Sequence, residues 1–139
     1  MNKSAFNIEA LKEAFSTLKE ANTDYKSAVD TKNKLYIQDA CVKRFEYTIE
    51  TAWKLMKKFL KLQYGRSEKE LTINNIFRLM EGYGFVKNWE NWEKYYEARN
   101  MTSHEYSIVK ARKILDIVDD FVSDVEYLIK QFDKELGEA

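Results

Sequence analysis

The chain has no proline, one cysteine, one histidine and four glycines in 139 residues, and each scarcity excludes something. Without proline the commonest helix breaker is missing. The glycines, Gly65, Gly82, Gly84 and Gly137, leave few natural stopping points. A single cysteine, Cys41, rules out an internal disulfide, and one cysteine with one histidine is too few ligands for a zinc site of that type. No apolar run approaches the roughly 20 residues that a membrane-spanning helix needs. Met1-Asn2-Lys3-Ser4 leads into Ala5-Phe6-Asn7 rather than into the apolar core of a signal peptide. The expectation is a cytoplasmic protein with no membrane contact. With 23 basic and 23 acidic residues there is no net charge, whereas a protein that held nucleic acid through the phosphate backbone alone would be expected to be basic. Any dealing with nucleic acid must use a local site and transient contact.

What is present is core material: three Trp, nine Tyr and eight Phe, enough for one domain over residues 1–139. Nothing alternates with period two for long, so the class is all-α. Ile8, Leu11, Phe15 and Leu18 form one stripe of a first helix over 7–25, with Asn7 as its N-cap. Residues 23–33 read as a polar turn. A long helix over 35–64 follows, ending at Gly65. Its seam is Cys41, Phe45, Ile49, Ala52, Met56, Phe59 and Leu60, widened by Val42 and Trp53. Some 30 residues give about 45 Å, long for so small a core, so part of this helix is expected to meet a partner subunit.

Residues 66–72 read as a charged connection. A short helix over 73–81 presents Ile76, Phe77 and Met80. A further helix, capped by Asn88, places Trp89, Trp92, Tyr96 and Arg99 on one face. A last helix over 108–136, capped by Ser107, carries Ala111, Leu115, Val118, Val122, Val125, Ile129, Phe132 and Leu136 at alternating spacings of four and three. The architecture expected is an up-and-down four-helix bundle with a short extra helix.

The candidate site is the polar stretch Arg99-Asn100-Met101-Thr102-Ser103-His104-Glu105-Tyr106. It interrupts two apolar patterns and holds the one side chain that titrates near neutral pH without help. Residues five apart on a straight helix are rotated by about 140°. Arg99 and His104 can therefore share a ligand only if the helix breaks near Met101 to Tyr106, or if they meet across a subunit interface. Thr102, Ser103 and Ser107 favour a break, because their hydroxyls compete for backbone groups. An arginine fork suits phosphate oxygens, and a histidine can pass a proton. Together they suit RNA cleavage by its own 2′-hydroxyl, with no metal ion or cofactor required. One histidine cannot be base and acid at once, so a twofold homodimer with two His104 in a shared cleft would complete the set. Glu46 and Glu50 lie four apart on the long helix and are candidates for the same cleft, as is Arg44. Cys41 and the tryptophans read as packing or interface residues.

The form Arg-x4-His-x-Tyr, with Asn100 directly after Arg99, resembles the signature of HEPN-domain proteins, in particular the HepT-like branch, long called nucleotidyltransferase substrate-binding proteins. A second segment supports this: Gln38-Asp39-Ala40, Arg44-Phe45-Glu46-Tyr47-Thr48, Glu50 and Ala52-Trp53-Lys54 are similar to the family's long second helix. The resemblance spans most of residues 35–132. It implies a homodimeric bundle whose two motifs line a cleft, acting as a metal-independent ribonuclease toxin. It also implies a minimal nucleotidyltransferase antitoxin encoded nearby. Arg99 and His104 would be the catalytic pair, with Asn100 and Ser103 supporting them. Tyr106 matches the tyrosine that the antitoxin modifies with AMP. Ser107 departs from the acidic or amide residue expected after that tyrosine. A binding subunit without catalysis is the alternative the resemblance also allows.

Overall fold

The helical periodicities resolve into α1 (Glu9–Ser27), α2 (Thr31–Tyr64), α3 (Ile73–Gly82), α4 (Trp89–His104) and α5 (Ile108–Leu136). The computed structural model describes residues 5–104 and 108–137, with backbone alone for Thr31, Thr102, Ser103 and His104, and no strand occurs among them. The four long helices run up, down, up and down. Trp53 and Glu50 of α2 meet Tyr96 and Arg99 of α4 in reversed order, as antiparallel neighbours do, while Trp92 and Tyr95 of α4 pack on Phe121 of α5. Lys12 and Lys26 of α1 pair with Asp133 and Asp119 of α5 in the same sense. The short α3 packs Phe77 against Trp92 and Tyr96 of α4.

Local chemistry accounts for most boundaries, and three features differ from the expectation. The first helix starts later than Asn7, with Ile8 in the cap position, while Asn7 Oδ1 accepts from the Glu9 amide at 3.4 Å. Burial of Phe6 and Ile8 fixes how the chain enters. The second helix starts a full turn earlier than expected, because Asp30 caps it by accepting from the Lys32 amide at 3.1 Å. Residues 28–30 are all that remains of the turn, and α2 is about 50 Å long. Gly65, at φ 65°, ends it as expected: Gly65 N–H donates to Lys61 O and Arg66 N–H to Leu60 O, the left-handed stop that glycine favours. The charged connection holds a 3-10 turn, Glu68–Glu70, closed by a reciprocal capping box between Ser67 and Glu70. Hydrogen bonds from Lys57 and Lys61 draw the Glu68 carboxyl down to about 2.

The third difference is the register of α5. Ala111, Val118, Val125, Phe132 and Leu136 are buried as expected, but Ile114, Phe121 and Leu128 fill the positions between them. Leu115, Val122 and Ile129 are only half-buried. Both sets recur every seven residues, so the spacing alone does not choose. The choice puts the larger Phe121 inside, edge-on to Phe45, Trp92 and Tyr95. At the opposite end Phe59 is ringed by Phe6, Phe85 and Phe132 at centroid distances of 5.5, 4.7 and 5.2 Å.

Tyr95 is a buried residue that the expected stripe omitted. Its hydroxyl donates to Asp124 Oδ2. Burial pushes the Tyr95 phenol well up, and the Asp124 bond adds to the rise. Burial also holds the Asp124 carboxyl above its ordinary range, against the lowering effect of the Tyr95 bond.

Two outcomes are expected. Phe59→Ala should cost about 3–5 kcal/mol in urea unfolding, because a fully packed ring is lost. Asp124 holds its proton more tightly folded than unfolded. Its contribution is therefore complete below the unfolded value of about 3.9 and is lost as pH rises through the raised native value. Asp124→Asn should melt at a higher temperature than the parent near neutral pH, with the gap closing toward about pH 4. A gap that widens on acidification would reverse the sign.

Candidate functional site

Arg99 lies on the last full turns of α4, half-buried against α2. Its Nε is 3.2 Å from Glu50 Oε2, with the two side chains 29% and 27% exposed. Glu50 is the hub of this contact. Its Oε2 also accepts from Trp53 Nε1 at 3.1 Å, and its Oε1 meets Lys54 Nζ at 3.3 Å. Trp53 stands edge-on to Tyr96, one turn before Arg99. This antiparallel register, Trp53 against Tyr96 and Glu50 against Arg99, carries Glu46 one turn further toward the end of α4. Arg99 Nη1 also lies 3.5 Å from Asn100 Oδ1.

The structure thus brings Arg99, Asn100 and Glu50 together, with Glu46 half-buried on the same face of α2. Arg44 goes elsewhere: its Nη1 donates to the Thr17 carbonyl at 3.1 Å, so it faces α1. The backbone stays helical through His104, so the expected break does not fall between Met101 and His104. The side chains of Ser103 and His104 lie outside the described residues. So do Tyr106 and Ser107, and with them the expected modification site and the expected cap of α5. Lys54, the second cation on Glu50, was not singled out by the sequence, since a lysine among many carries no signal until its partner is placed.

The remaining chemistry is quiet. Cys41 is fully buried on the α2 seam, and desolvation pushes its thiol up to about 11, which keeps it a packing group. Trp92 is buried, and Trp53 and Trp89 are half-buried. Among the described residues no cluster of three or more His, Cys, Asp or Glu side chains is placed to hold a metal ion. No helix of the described residues is long and apolar enough to cross a membrane.

The family model described as "Nucleotidyltransferase substrate binding protein like" matches residues 6–134. A Haemophilus influenzae protein named "Probable ribonuclease HepT" is 27% identical over 92 residues, 65% of this chain and 63% of that protein. The match therefore spans under two thirds of that relative. The fold is similar to that of a solved Haemophilus influenzae protein, described as a substrate binding domain of a nucleotidyltransferase. That likeness has a TM-score of 0.80 at 22% identity, covering 90% of this chain and 98% of the other. A Thermus thermophilus structure is similar at TM-score 0.72 and 24% identity, covering 87% and 97%.

Because the Arg99–Glu50 pair is partly solvated, its charge contributes little to folding. Glu50→Gln should keep an acceptor for Trp53 and change unfolding free energy by less than about 1 kcal/mol. A much larger loss in urea titration would make Glu50 a structural rather than a site residue.

Proposed function

This chain belongs to the nucleotidyltransferase substrate-binding-protein-like family, and from that premise we propose that it is a metal-independent endoribonuclease, the toxin of a two-component pair. The observation that carries this reading is Arg99, held by Glu50 at the end of α4, five residues before the chain's one histidine. In this reading His104 takes the proton of an RNA 2′-hydroxyl. The 2′-oxygen attacks phosphorus, and the bond to the 5′-oxygen breaks to leave a 2′,3′-cyclic phosphate. A second His104 protonates the departing 5′-oxygen. Arg99 neutralises charge that builds on the phosphoryl oxygens. Glu50 is a positioning residue that holds the guanidinium by an ion pair.

The continuous α4 backbone bears on how the pair is assembled. Positions 99 and 104 are about 140° apart around one helix, which favours completion of the site by a second subunit. The active unit is then a homodimer with both motifs in one cleft. The partner is a minimal nucleotidyltransferase that attaches AMP to Tyr106. The added phosphate puts negative charge where the RNA phosphate would sit, and so turns the enzyme off. A second reading, a non-catalytic subunit that presents a substrate or nucleotide to a nucleotidyltransferase, is favoured by the likeness to a fold described as such a substrate binding domain.

RNA cleavage with EDTA present separates the two. The wild type should cut, and Arg99→Ala or His104→Ala should lose about 10²–10⁴-fold. In a mixed dimer with one His104→Ala subunit, a shared cleft should lose much more than half of the rate. Retention of half would mean that each subunit cuts alone. Wild type and His104→Ala equally inert across several RNAs would leave the binding-subunit reading.

A further inference from the structure

Opposite its buried stripe, α2 has an outer edge of distinct chemistry. Between positions 36 and 58 its exposed side chains are Tyr36, Asp39, Lys43, Tyr47, Lys54 and Lys58. Spacings of three, four and seven residues put all six on one strip of the helix. Three lysines against one aspartate make that strip basic in a chain whose total charge is zero. Tyr36 and Tyr47 are 64% and 58% exposed. A tyrosine that only filled the core would be turned inward, as Tyr95 is. Here two rings stand in solvent among cations, and that alternation suits a polyanion that carries flat rings of its own.

The strip passes beside Arg99. Lys54 Nζ lies 3.3 Å from Glu50 Oε1 and Arg99 Nε 3.2 Å from Glu50 Oε2, so the two cations share one carboxylate. The Lys54 side chain is still 62% exposed, with its Nζ 5.8 Å from the Trp53 ring centroid. Tyr47 lies one turn of α2 to the other side of Glu50. Because α2 and α4 run antiparallel, that is the side on which α4 goes on to His104. Tyr47 and Lys54 are two turns apart, about 10 Å, and Arg99 stands beside the residue between them. A phosphate on Arg99 would therefore have a ring within reach on one side and an ammonium on the other. Such a pair distinguishes one strand state from another. In a duplex each base face is covered by its neighbours, whereas an unpaired base can swing out onto an aromatic side chain.

We propose that Tyr47 and Lys54 set the specificity of the Arg99 site: the bond that is cut must lie in unpaired RNA, with a base on the His104 side stacked on the Tyr47 ring and the next phosphate on the other side paired with Lys54. Lys43 and Lys58 extend the positive charge along the strand in both directions. Tyr47 and Lys54 are positioning residues, and neither moves a proton. The inference rests on the reading of this chain as a ribonuclease, yet strand binding is measured apart from cleavage.

The test uses the full-length chain and a short unpaired oligoribonucleotide with 2′-O-methyl groups throughout, which cannot be cut because the attacking hydroxyl is blocked. By fluorescence anisotropy, Tyr47→Ala should weaken binding about tenfold and Tyr47→Phe should stay within about twofold, since stacking needs the ring and not the hydroxyl. Lys54→Gln should weaken binding several-fold and reduce the slope of log affinity against log salt by about 0.7. A lysine that merely held Glu50 in place would leave that slope unchanged. The same strand annealed to its complement should bind at least about tenfold more weakly. Affinity unchanged in Tyr47→Ala and Lys54→Gln, or a duplex held as tightly as the single strand, overturns the proposal. So does a Tyr47→Ala chain that loses self-association in sedimentation together with its affinity, which would make the strip a contact between copies. If unblocked RNA is not cut but the blocked strand binds through Tyr47 and Lys54, the ribonuclease reading fails and the strip stands as a strand-binding surface. Cleavage with KM unchanged in both variants overturns the strip and leaves the ribonuclease reading intact.

Discussion

The buried stripe of α2 is the constraint on which the rest of the molecule depends. Cys41, Phe45, Ile49, Ala52, Met56 and Phe59 are fully removed from solvent along one side of one helix. Every other helix finds its place by covering part of that stripe. Phe45 sets the level of α5 through Phe121, and Phe59 gathers Phe6, Phe85 and Phe132 at the far end. Fixing the rotation of α2 also fixes what its flanks present. Glu50 and Trp53 are turned toward α4, and Arg44 toward α1. The positions of the candidate site residues are thus consequences of core packing.

A chain with no net charge can still handle an anionic partner if its charges are placed one at a time. Glu50 lies between Arg99 and Lys54, and a carboxylate that shares two cations orients both without neutralising either completely. Such an arrangement trades the long-range attraction of a basic face for local geometry.

Polar groups in this bundle are buried on different terms. Tyr95 and Asp124 satisfy each other across α4 and α5, so their burial locks those helices together. Thr48, fully buried on α2, is satisfied within its own helix by donating to the Arg44 carbonyl. Cys41 is a third case: its thiol is apolar enough to sit in the core, and desolvation keeps it protonated.

The sequence by itself determined the all-helical class, the up-and-down order, the stops at Gly65 and after α3, and the α2 seam, because each follows from local periodicity or from the conformational freedom of glycine. It also singled out Arg99 and His104 as candidates, since a lone histidine in a polar interruption is visible without any fold. Only the tertiary structure decided the register of α5, because Ile114-Leu115, Phe121-Val122 and Leu128-Ile129 are adjacent apolar pairs and either member satisfies the spacing. The same holds for Glu50 over Arg44 as the neighbour of Arg99. These are contacts between residues far apart in the chain. No short-range pattern encodes them; they exist only once the helices are packed.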